Sequence, residues 1–487
     1  MHIPLSTTHF SISFATMTVE VMAQEETLND ELVVAAESKK EKKKEKKEKV
    51  VEENVKAMES VDVDEPKPKT VEKSSSYKEE SNFLSDLKEF ERKALGELKS
   101  KLEEAILGNS LFEKEEGKKK ENEVDMEEEG ENVEEVEKDD DVSLWGVPLL
   151  PSKGAEGVDV VLLKFLRARE FKVNDAFEML KKTLRWRKES KVDSVLDEDL
   201  GSDLACTAYM NGVDHEGHPV CYNIFGAFGN EELYNKTFKS EEKRFEFLRW
   251  RCQLMEKGIQ KLDLKPGGVS SLLQINDLKN SPGPSKRELR VATKQIVAML
   301  QDNYPEMVAK NIFINVPFWY YALNALLCPF LTQRTKSKFV IAHPNKVTET
   351  LTKYIPIEEI PVNYGGFKRE NDSQFSSQVG AVSEIFLKAG STATIEIPTL
   401  EVGNIICWDL TVLGWEVSYK EEFVPNDEGS YTVIVQKGKK MTSQEGPIRN
   451  TFRNNEPGKV NLIIENTSNK KKRVLYRSMI NKSSSPF

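Results

Sequence analysis

The sequence predicts a charged N-terminal tail, then an α/β module, then an all-β sandwich. Residues 1–140 are dominated by Lys, Glu, Ser and Val, and such a segment buries too little apolar surface to offset the entropy of ordering. Between Val158 and Tyr354 strand-like and helix-like runs alternate, which favours a parallel sheet with helical crossovers. From Ile385 onwards the period is two, with breaks at Gly, Pro and Asn, which is typical of a β-sandwich.

The charge of the chain is concentrated in one part of the tail. Residues 121–141 hold thirteen acidic side chains and one lysine, a net charge of −12. The whole chain of 487 residues carries −11, so all other residues together sum to about +1. The acidic balance therefore describes the tail, and it does not exclude an anionic partner for the folded part.

One segment of the tail, residues 83–107, has apolar residues at helical spacing. We expect it to form an isolated amphipathic helix when a partner binds, because the flanking segments are of low complexity. The predicted divisions are a disordered tail at 1–140, a helical region at 145–200, the main α/β domain at 201–370 and the sandwich at 380–484.

Periodicity predicts the elements of the α/β module. The predicted helices are Val158–Glu170, Val173–Lys188, Glu241–Leu262, Ser285–Gln301, Phe318–Leu331 and Lys346–Tyr354. The predicted strands are His218–Phe225, Val269–Ile275, Ile312–Val316 and Phe339–Ala342. In the sandwich the strand-like runs lie around Ile395–Ile397 and at Ile405–Val412, Trp415–Phe423, Tyr431–Lys437, Val460–Ile464 and Val474–Met479.

Enzyme functions find little support in the sequence. It contains no glycine-rich phosphate loop and no nucleophile elbow, and we expect no cofactor. His215 and His218 flank a glycine turn, and we expect both to be exposed turn residues. Five scattered cysteines without a CxxC pair indicate a reducing compartment and no zinc site. They are Cys206, Cys221, Cys252, Cys328 and Cys407.

Leader, membrane-spanning and nucleic-acid-binding segments are not expected. The N-terminus lacks a basic region followed by an apolar run, although Met17 and Met22 stay open as alternative starts. Ile312–Leu331 is long enough to span a bilayer, but Asn and Pro interrupt it, which favours a soluble protein. The lysines of residues 39–49 alternate with glutamates, and the basic residues 470–473 lack neighbouring aromatic platforms.

Four polar residues stand in or beside runs that otherwise consist of apolar core residues. They are Arg169, Glu306, Thr335 and Lys338. Ionised groups are costly to bury unless they are paired or meet a charged ligand. Arg and Lys suit a phosphate, and Glu and Thr suit the hydroxyls of a polyol attached to it. Taken singly, each residue also fits an ordinary surface or capping position.

The motifs around these residues resemble those of the CRAL-TRIO lipid-binding domain. They are Leu162–Val173, His218-Pro-Val, Ile275-Asn-Asp-Leu, Asn303-Tyr-Pro-Glu, Phe313-Ile-Asn-Val-Pro and Tyr364-Gly-Gly, in the order of that family. The β-rich C-terminus resembles a GOLD domain. A charged tail, a CRAL-TRIO module with its N-terminal helical region and a GOLD sandwich together are similar to the arrangement of the patellin family.

The resemblance implies the ligand and three groups of functional residues. Arg169, Glu306, Thr335 and Lys338 match the positions that hold the phosphatidylinositol headgroup in the transfer proteins of the family. Phe318, Trp319, Tyr320 and Tyr321 begin a segment that resembles the gating helix, which would contact the bilayer. A basic patch on the GOLD domain would face an anionic membrane surface. It comprises Lys470, Lys471, Lys472, Arg473 and Arg477.

The implied function is phosphoinositide transfer or presentation in membrane trafficking, including cell-plate formation during cytokinesis. The protein would be cytoplasmic and peripheral to the plasma membrane or cell plate, without catalysis and without nucleic acid. One alternative is a scaffold whose tail or GOLD domain recruits trafficking proteins, and another is a carrier of a neutral apolar ligand. Binding of phosphatidylcholine stays open, because Asp277–Lys286 departs from the Gly/Ser pattern of the family.

Overall fold

The computed structural model describes residues 79–112, 142–282, 286–317, 337–375, 382–442 and 445–481. The helices in these ranges are α1 Glu89–Leu107, α2 Val158–Ala168, α3 Val173–Glu189, α4 Glu231–Phe238, α5 Glu241–Ile259, α6 Arg287–Asn303 and α7 Val347–Leu351. The strands are β1 Ser143–Leu144, β2 Val147–Pro148, β3 Ala208–Val213, β4 Pro219–Ile224, β5 Leu272–Asp277, β6 Val308–Ile314, β7 Phe339–Ile341, β8 Ser383–Leu387, β9 Thr392–Thr399, β10 Ile405–Val412, β11 Val417–Pro425, β12 Val433–Met441, β13 Ile448–Arg453, β14 Gly458–Glu465 and β15 Lys472–Asn481. None of these helices combines the length and apolar character needed to cross a bilayer.

Helix α1 is part of the folded core, which corrects the expectation of an isolated helix. Its residues Leu98, Leu102 and Ile106 are fully buried and join one hydrophobic cluster with α2 and α3. Lys99 at the rim of this face forms an ion pair of 2.8 Å with Asp159 of α2. The predicted disordered tail is therefore wrong for the described residues 79–112, because the apolar stripe of α1 finds partners far along the chain. The predicted divisions near residues 200, 370 and 380 stay predictions.

A five-stranded sheet in the order β3-β4-β5-β6-β7 forms the centre of the α/β module. Strands β4 to β7 are parallel, as the alternating pattern predicts. Tyr222, Ile275 and Ile312 lie side by side on neighbouring strands and are fully buried, so the core continues across the sheet. Helices α5 and α6 cover one face, and the segment from α7 to Phe367 covers the other. The sequence pattern missed β3, which is antiparallel to β4.

The C-terminal region is the predicted β-sandwich. Its two antiparallel sheets have the strand orders β13-β10-β15-β8 and β12-β11-β14-β9. Trp408 of β10 packs between the sheets with Tyr419 and Phe423 of β11, and all three are essentially inaccessible to solvent. The alternation of apolar and polar residues that predicts these strands places the apolar set in this shared core. Strand β13 was missed, since its residues are mostly polar.

A buried carboxylate ties the sandwich to the segment that closes the α/β module. Asp409 of β10 is fully buried and accepts hydrogen bonds from Arg369 (2.9 Å), Arg449 (2.6 Å) and Arg477 (2.7 Å). Asp372 pairs with Arg449 at 2.7 Å and with Arg477 at 3.5 Å. Arg369 and Asp372 lie before the sandwich, so these ion pairs join the two parts of the chain. A buried carboxylate is tolerated because several charged donors replace its water.

The first described residues, 79–83, form a short strap that is bound to α2. Arg167 of α2 donates to the carbonyl of Ser81 and to the side chain of Asn82, both at 2.6 Å. The same guanidinium pairs with Glu80 at 2.9 Å. Charge-assisted hydrogen bonds of this kind are the stronger ones in proteins. The strap is therefore fixed to the folded module by three of its residues through one arginine.

Glu79 of the strap reaches His218, and this contact corrects the expectation of an exposed histidine. The ring of His218 is almost fully buried, with Nε2 3.0 Å from Glu79 and Nδ1 2.8 Å from Asp214. Ser271 donates to the other oxygen of Glu79 at 2.5 Å. Burial opposes the charged imidazole, but the bonds to Asp214 and Glu79 outweigh it and raise the pKa of His218 to about 9. The hydrogen bonds from His218 and Ser271 likewise outweigh burial and lower the pKa of Glu79 to about 2.

The packing of α1 predicts the effect of shortening one of its core residues. Leu98→Ala should lower the free energy of unfolding of the helical region by about 2–5 kcal/mol, because it opens a cavity in a fully buried position. Chemical denaturation followed by circular dichroism measures this loss. Glu97→Ala, one position away on the exposed face, should change stability by less than about 0.5 kcal/mol. Equal stability of Leu98→Ala and wild type would contradict a packed α1.

The carboxylates around His218 predict a pH-dependent contribution to stability. The pKa of His218 is raised to about 9 in the fold, whereas an unfolded histidine titrates near 6.5. The stabilisation is therefore complete below about pH 6.5 and is lost as the pH rises through about 9. The difference in unfolding free energy between wild type and His218→Gln should shrink over this interval by on the order of 3 kcal/mol. A difference that stays constant with pH would refute the charged contact.

Candidate functional site

Four polar side chains lie where successive parallel strands begin. His218, Ser271 and Lys338 immediately precede β4, β5 and β7, and Glu306 lies two residues before β6. Parallel strands start at the same end of a sheet, so residues that are far apart in sequence meet there. We call this end of β4–β7 the N-terminal end of the sheet. Among the three predicted headgroup residues that the structure describes, it brings together Glu306 and Lys338.

Glu306 and Lys338 form the centre of the arrangement. The Nζ atom of Lys338 lies 2.7 Å from Oε2 of Glu306 and also donates to the carbonyl of Val308 at 3.2 Å. Their side chains are 19% and 15% exposed, so the ion pair is partly shielded from water. Partial burial strengthens the electrostatic attraction between the two groups. The exposed fraction that remains leaves both groups within reach of a ligand. A molecule with an anionic and a hydroxyl group could exchange with this pair.

Lys164 of α2 is a third charged group at the site, and sequence reasoning missed it. Its side chain is almost fully buried, and Nζ donates to the backbone carbonyl of Glu306 at 2.8 Å. Burial lowers the pKa of Lys164 to about 8, against the opposing effect of the carboxylates of Glu79 and Glu306. The sequence does contain a feature that could have indicated this residue: Lys164 is the single charged side chain in the apolar run from Val160 to Leu166.

The turn that carries Glu306 is anchored by the preceding tyrosine. The buried hydroxyl of Tyr304 donates to Glu256 at 2.7 Å, and Glu256 pairs with Arg187 at 2.6 Å. Beyond this anchor, Glu306 adopts a left-handed conformation with φ of 51°, which costs a residue other than glycine about 1 kcal/mol or more. The bond from Lys164 to the Glu306 carbonyl holds the strained residue in place, so its carboxylate points to Lys338.

Of the other two residues of the predicted headgroup set, the structure describes only Arg169. Arg169 is half-buried at the C-terminal end of α2, where its guanidinium donates a hydrogen bond to the carbonyl of Ala168 at 3.3 Å. Thr335 lies outside the described residues. The predicted membrane-contact residues also lie outside them; these are Phe318, Trp319, Tyr320 and Tyr321. No group of His, Cys, Asp and Glu in the described ranges could hold a metal ion.

At the opposite end of the sheet, three of the family-like motifs meet in one polar cluster. Asp277 accepts hydrogen bonds from Asn315 at 2.7 Å and from the hydroxyl of Tyr364 at 2.9 Å. Beside it, Asn223 donates to Asn276 at 3.1 Å. These motifs therefore pair with one another where strands end, and the closing segment is fastened to the sheet. These hydrogen bonds give the three motifs a structural role that does not require a ligand.

The five basic residues of the GOLD-like region do not form one exposed patch. Lys472 is buried against Glu416 at 3.3 Å, and Arg477 is turned inward to Asp409. The prediction that Lys472 and Arg477 belong to an exposed basic patch is therefore wrong, because both side chains are shielded from solvent and each has an acidic partner that a membrane would have to replace. Arg473 is half-exposed and makes two bonds of 2.8 Å to Glu384. Lys470 and Lys471 are exposed.

Comparison with known proteins places this geometry in a family. The models for the CRAL/TRIO N-terminal domain, the CRAL/TRIO domain and the Patellin-1-like C-terminal GOLD domain match residues 94–182, 206–366 and 388–472. The first of these ranges includes most of α1, in agreement with its packing on α2 and α3.

Relatives match over most of the chain. Patellin-4 of Arabidopsis thaliana is 52% identical over 95% of this chain and 98% of its own length. Patellin-3 of the same plant is 49% identical over 82% of this chain and 77% of its length. The phosphatidylinositol transfer protein SFH5 of Kluyveromyces lactis is 30% identical over 45% of this chain and 72% of its length. On this fold, domain order and identity, the chain belongs to the patellin family.

Proposed function

We propose that this protein binds phosphatidylinositol and its phosphorylated forms and transfers or presents them at membranes. The observation that carries the proposal is the partly shielded Glu306–Lys338 pair, with Lys164 beside it, at the end of an apolar α/β module. The relative from Kluyveromyces lactis is by its name a phosphatidylinositol transfer protein, which supports the same ligand class.

The proposed chemistry is recognition without a covalent step. Lys338 binds the phosphate that links the glycerol to the inositol ring, and Glu306 accepts a hydrogen bond from a ring hydroxyl. Arg169 and Thr335 complete the headgroup site in this proposal. The acyl chains lie among apolar side chains, whose burial supplies affinity. A lipid that lacks the headgroup leaves the polar residues unpaired and binds more weakly.

Delivery requires contact with a bilayer. We assign this contact to the aromatic residues 318–321, since aromatic rings favour the interface between lipid and water. Lys470 and Lys471, together with Arg473, would approach an anionic leaflet, each adding about 1 kcal/mol. The protein would act at the cytoplasmic side of the plasma membrane or cell plate, in membrane trafficking that includes cytokinesis.

Lipid analysis tests the ligand and its site. Mass spectrometry of lipids that co-purify with the full chain should detect phosphatidylinositol. The double variant Lys338→Met/Glu306→Gln should co-purify with at least about tenfold less phosphatidylinositol than wild type. It removes the charged contacts to the headgroup without leaving one charge of the pair unpaired. The matched control is Lys346→Met, whose exposed pair with Glu349 lies outside the site. A neutral lipid held equally by all three proteins would favour a carrier of apolar ligands.

A transfer assay separates the lipid carrier from a membrane-recruited scaffold. Wild type should move labelled phosphatidylinositol from donor to acceptor vesicles, and the same double variant should lose about tenfold in transfer rate while it still binds anionic vesicles. A scaffold needs membrane binding but does not extract lipid. Vesicle binding by wild type without any transfer would therefore reject the carrier and support recruitment of trafficking proteins through the tail or GOLD domain.

A further inference from the structure

The carboxylate of Glu79 lies in a seat built from donors at the N-terminal end of the sheet. One oxygen is 3.0 Å from Nε2 of His218, and the other accepts the hydroxyl hydrogen of Ser271 at 2.5 Å. The ring of His218 is fixed from its other side by Asp214 at 2.8 Å, so Nε2 points at Glu79. A charged imidazole and a hydroxyl that converge on one anion are also the donors that a phosphate group requires.

This seat adjoins the proposed headgroup site. His218 and Ser271 precede β4 and β5, and Glu306 and Lys338 lie at the starts of β6 and β7 in the same parallel order. Lys164 connects the two halves, since it is bound to the backbone of Glu306 and interacts electrostatically with the carboxylate of Glu79. An inositol ring held by Glu306 and Lys338 would therefore present its further substituents towards Glu79.

The balance of charge depends on the presence of Glu79. With it, three cations face three carboxylates, while the nearby Arg167 is paired with Glu80; the cations are Lys164, His218 and Lys338, and the carboxylates are Glu79, Asp214 and Glu306. Without Glu79 one positive charge is in excess in a shielded place, which favours entry of another anion.

We propose that the seat of Glu79 is a second anion-binding subsite, which takes a phosphate monoester on the inositol ring and is filled by Glu79 when that phosphate is absent. This rests on the proposed function, because the ring must be held at Glu306 and Lys338. The subsite distinguishes phosphorylated phosphoinositides from phosphatidylinositol, since only the former carry a group that competes with the carboxylate. Glu79 then acts as an internal competitor that lowers affinity for the phosphorylated lipid.

The strap can release Glu79 without losing its place on the module. Glu80, Ser81 and Asn82 remain bound to Arg167, so neutralising Glu79 leaves three other attachments intact. Glutamine at position 79 keeps the size and an acceptor oxygen for Ser271, removes the negative charge and places an amide NH2 group, a donor, towards His218. Glu79→Gln therefore abolishes the charge-assisted contact that competes with a phosphate while it leaves the bonds to Arg167 in place.

The test measures binding of the full chain to phosphatidylcholine vesicles that contain either a phosphatidylinositol monophosphate or phosphatidylinositol. Glu79→Gln should bind the monophosphate vesicles about threefold to tenfold more tightly than wild type, because the competing charge-assisted contact is gone. Binding to phosphatidylinositol vesicles should not change. Glu97→Gln removes a carboxylate from the exposed face of α1 and should leave both affinities as in wild type.

A double variant and a competition experiment distinguish binding at the subsite from a general effect of charge. The gain should disappear in Glu79→Gln/His218→Gln, and soluble inositol trisphosphate, but not inorganic phosphate, should compete with the vesicles. Absence of a gain, an equal gain for phosphatidylinositol or phosphatidylserine, or equal competition by inorganic phosphate would each overturn the subsite. If wild type fails to extract phosphatidylinositol while the selective gain is found, the transfer function fails and the subsite stands.

Discussion

The parallel order of β4 to β7 is the constraint on which the candidate site depends. Parallel strands begin at one end of the sheet, so residues that precede them converge although long crossovers separate them in sequence. His218, Glu306 and Lys338 owe their proximity to this rule. The strap and α2 then add groups from the N-terminal part of the chain. The parallel order thus brings together three of the five charged segments, and the strap and α2 supply the other two.

Charge pairing explains why these groups tolerate burial. Lys164 pays a desolvation penalty that lowers its pKa to about 8, and it keeps its place through the Glu306 carbonyl and two nearby carboxylates. Apolar side chains of similar volume at these buried positions would avoid the desolvation cost of the charges. The retention of several ionised side chains around a strained residue, Glu306, is characteristic of a position that meets a charged ligand.

Sequence patterns predicted the elements whose burial is decided locally. The run Ile405–Val412 was assigned to a strand with the bounds that β10 has in the structure. Patterns failed where burial depends on distant residues. His218 is buried by a carboxylate 139 positions away, and Arg477 turns inward to Asp409, 68 positions away. Contacts of this length leave no local periodicity. Strand β3 escaped notice for another reason: it is an edge strand, and most of its residues are only partly buried, so its apolar and polar positions do not alternate clearly.

The ion pairs around Asp409 affect how far the two folded regions can be treated as separable modules. The matched GOLD segment starts at residue 388, yet Arg369 and Asp372, which complete the cluster, lie before it. A sandwich excised at that point would keep a fully buried carboxylate with part of its shell removed. Transplanting this sandwich to another protein therefore requires that residues 369–375 are included with it, because they supply part of the shell of Asp409.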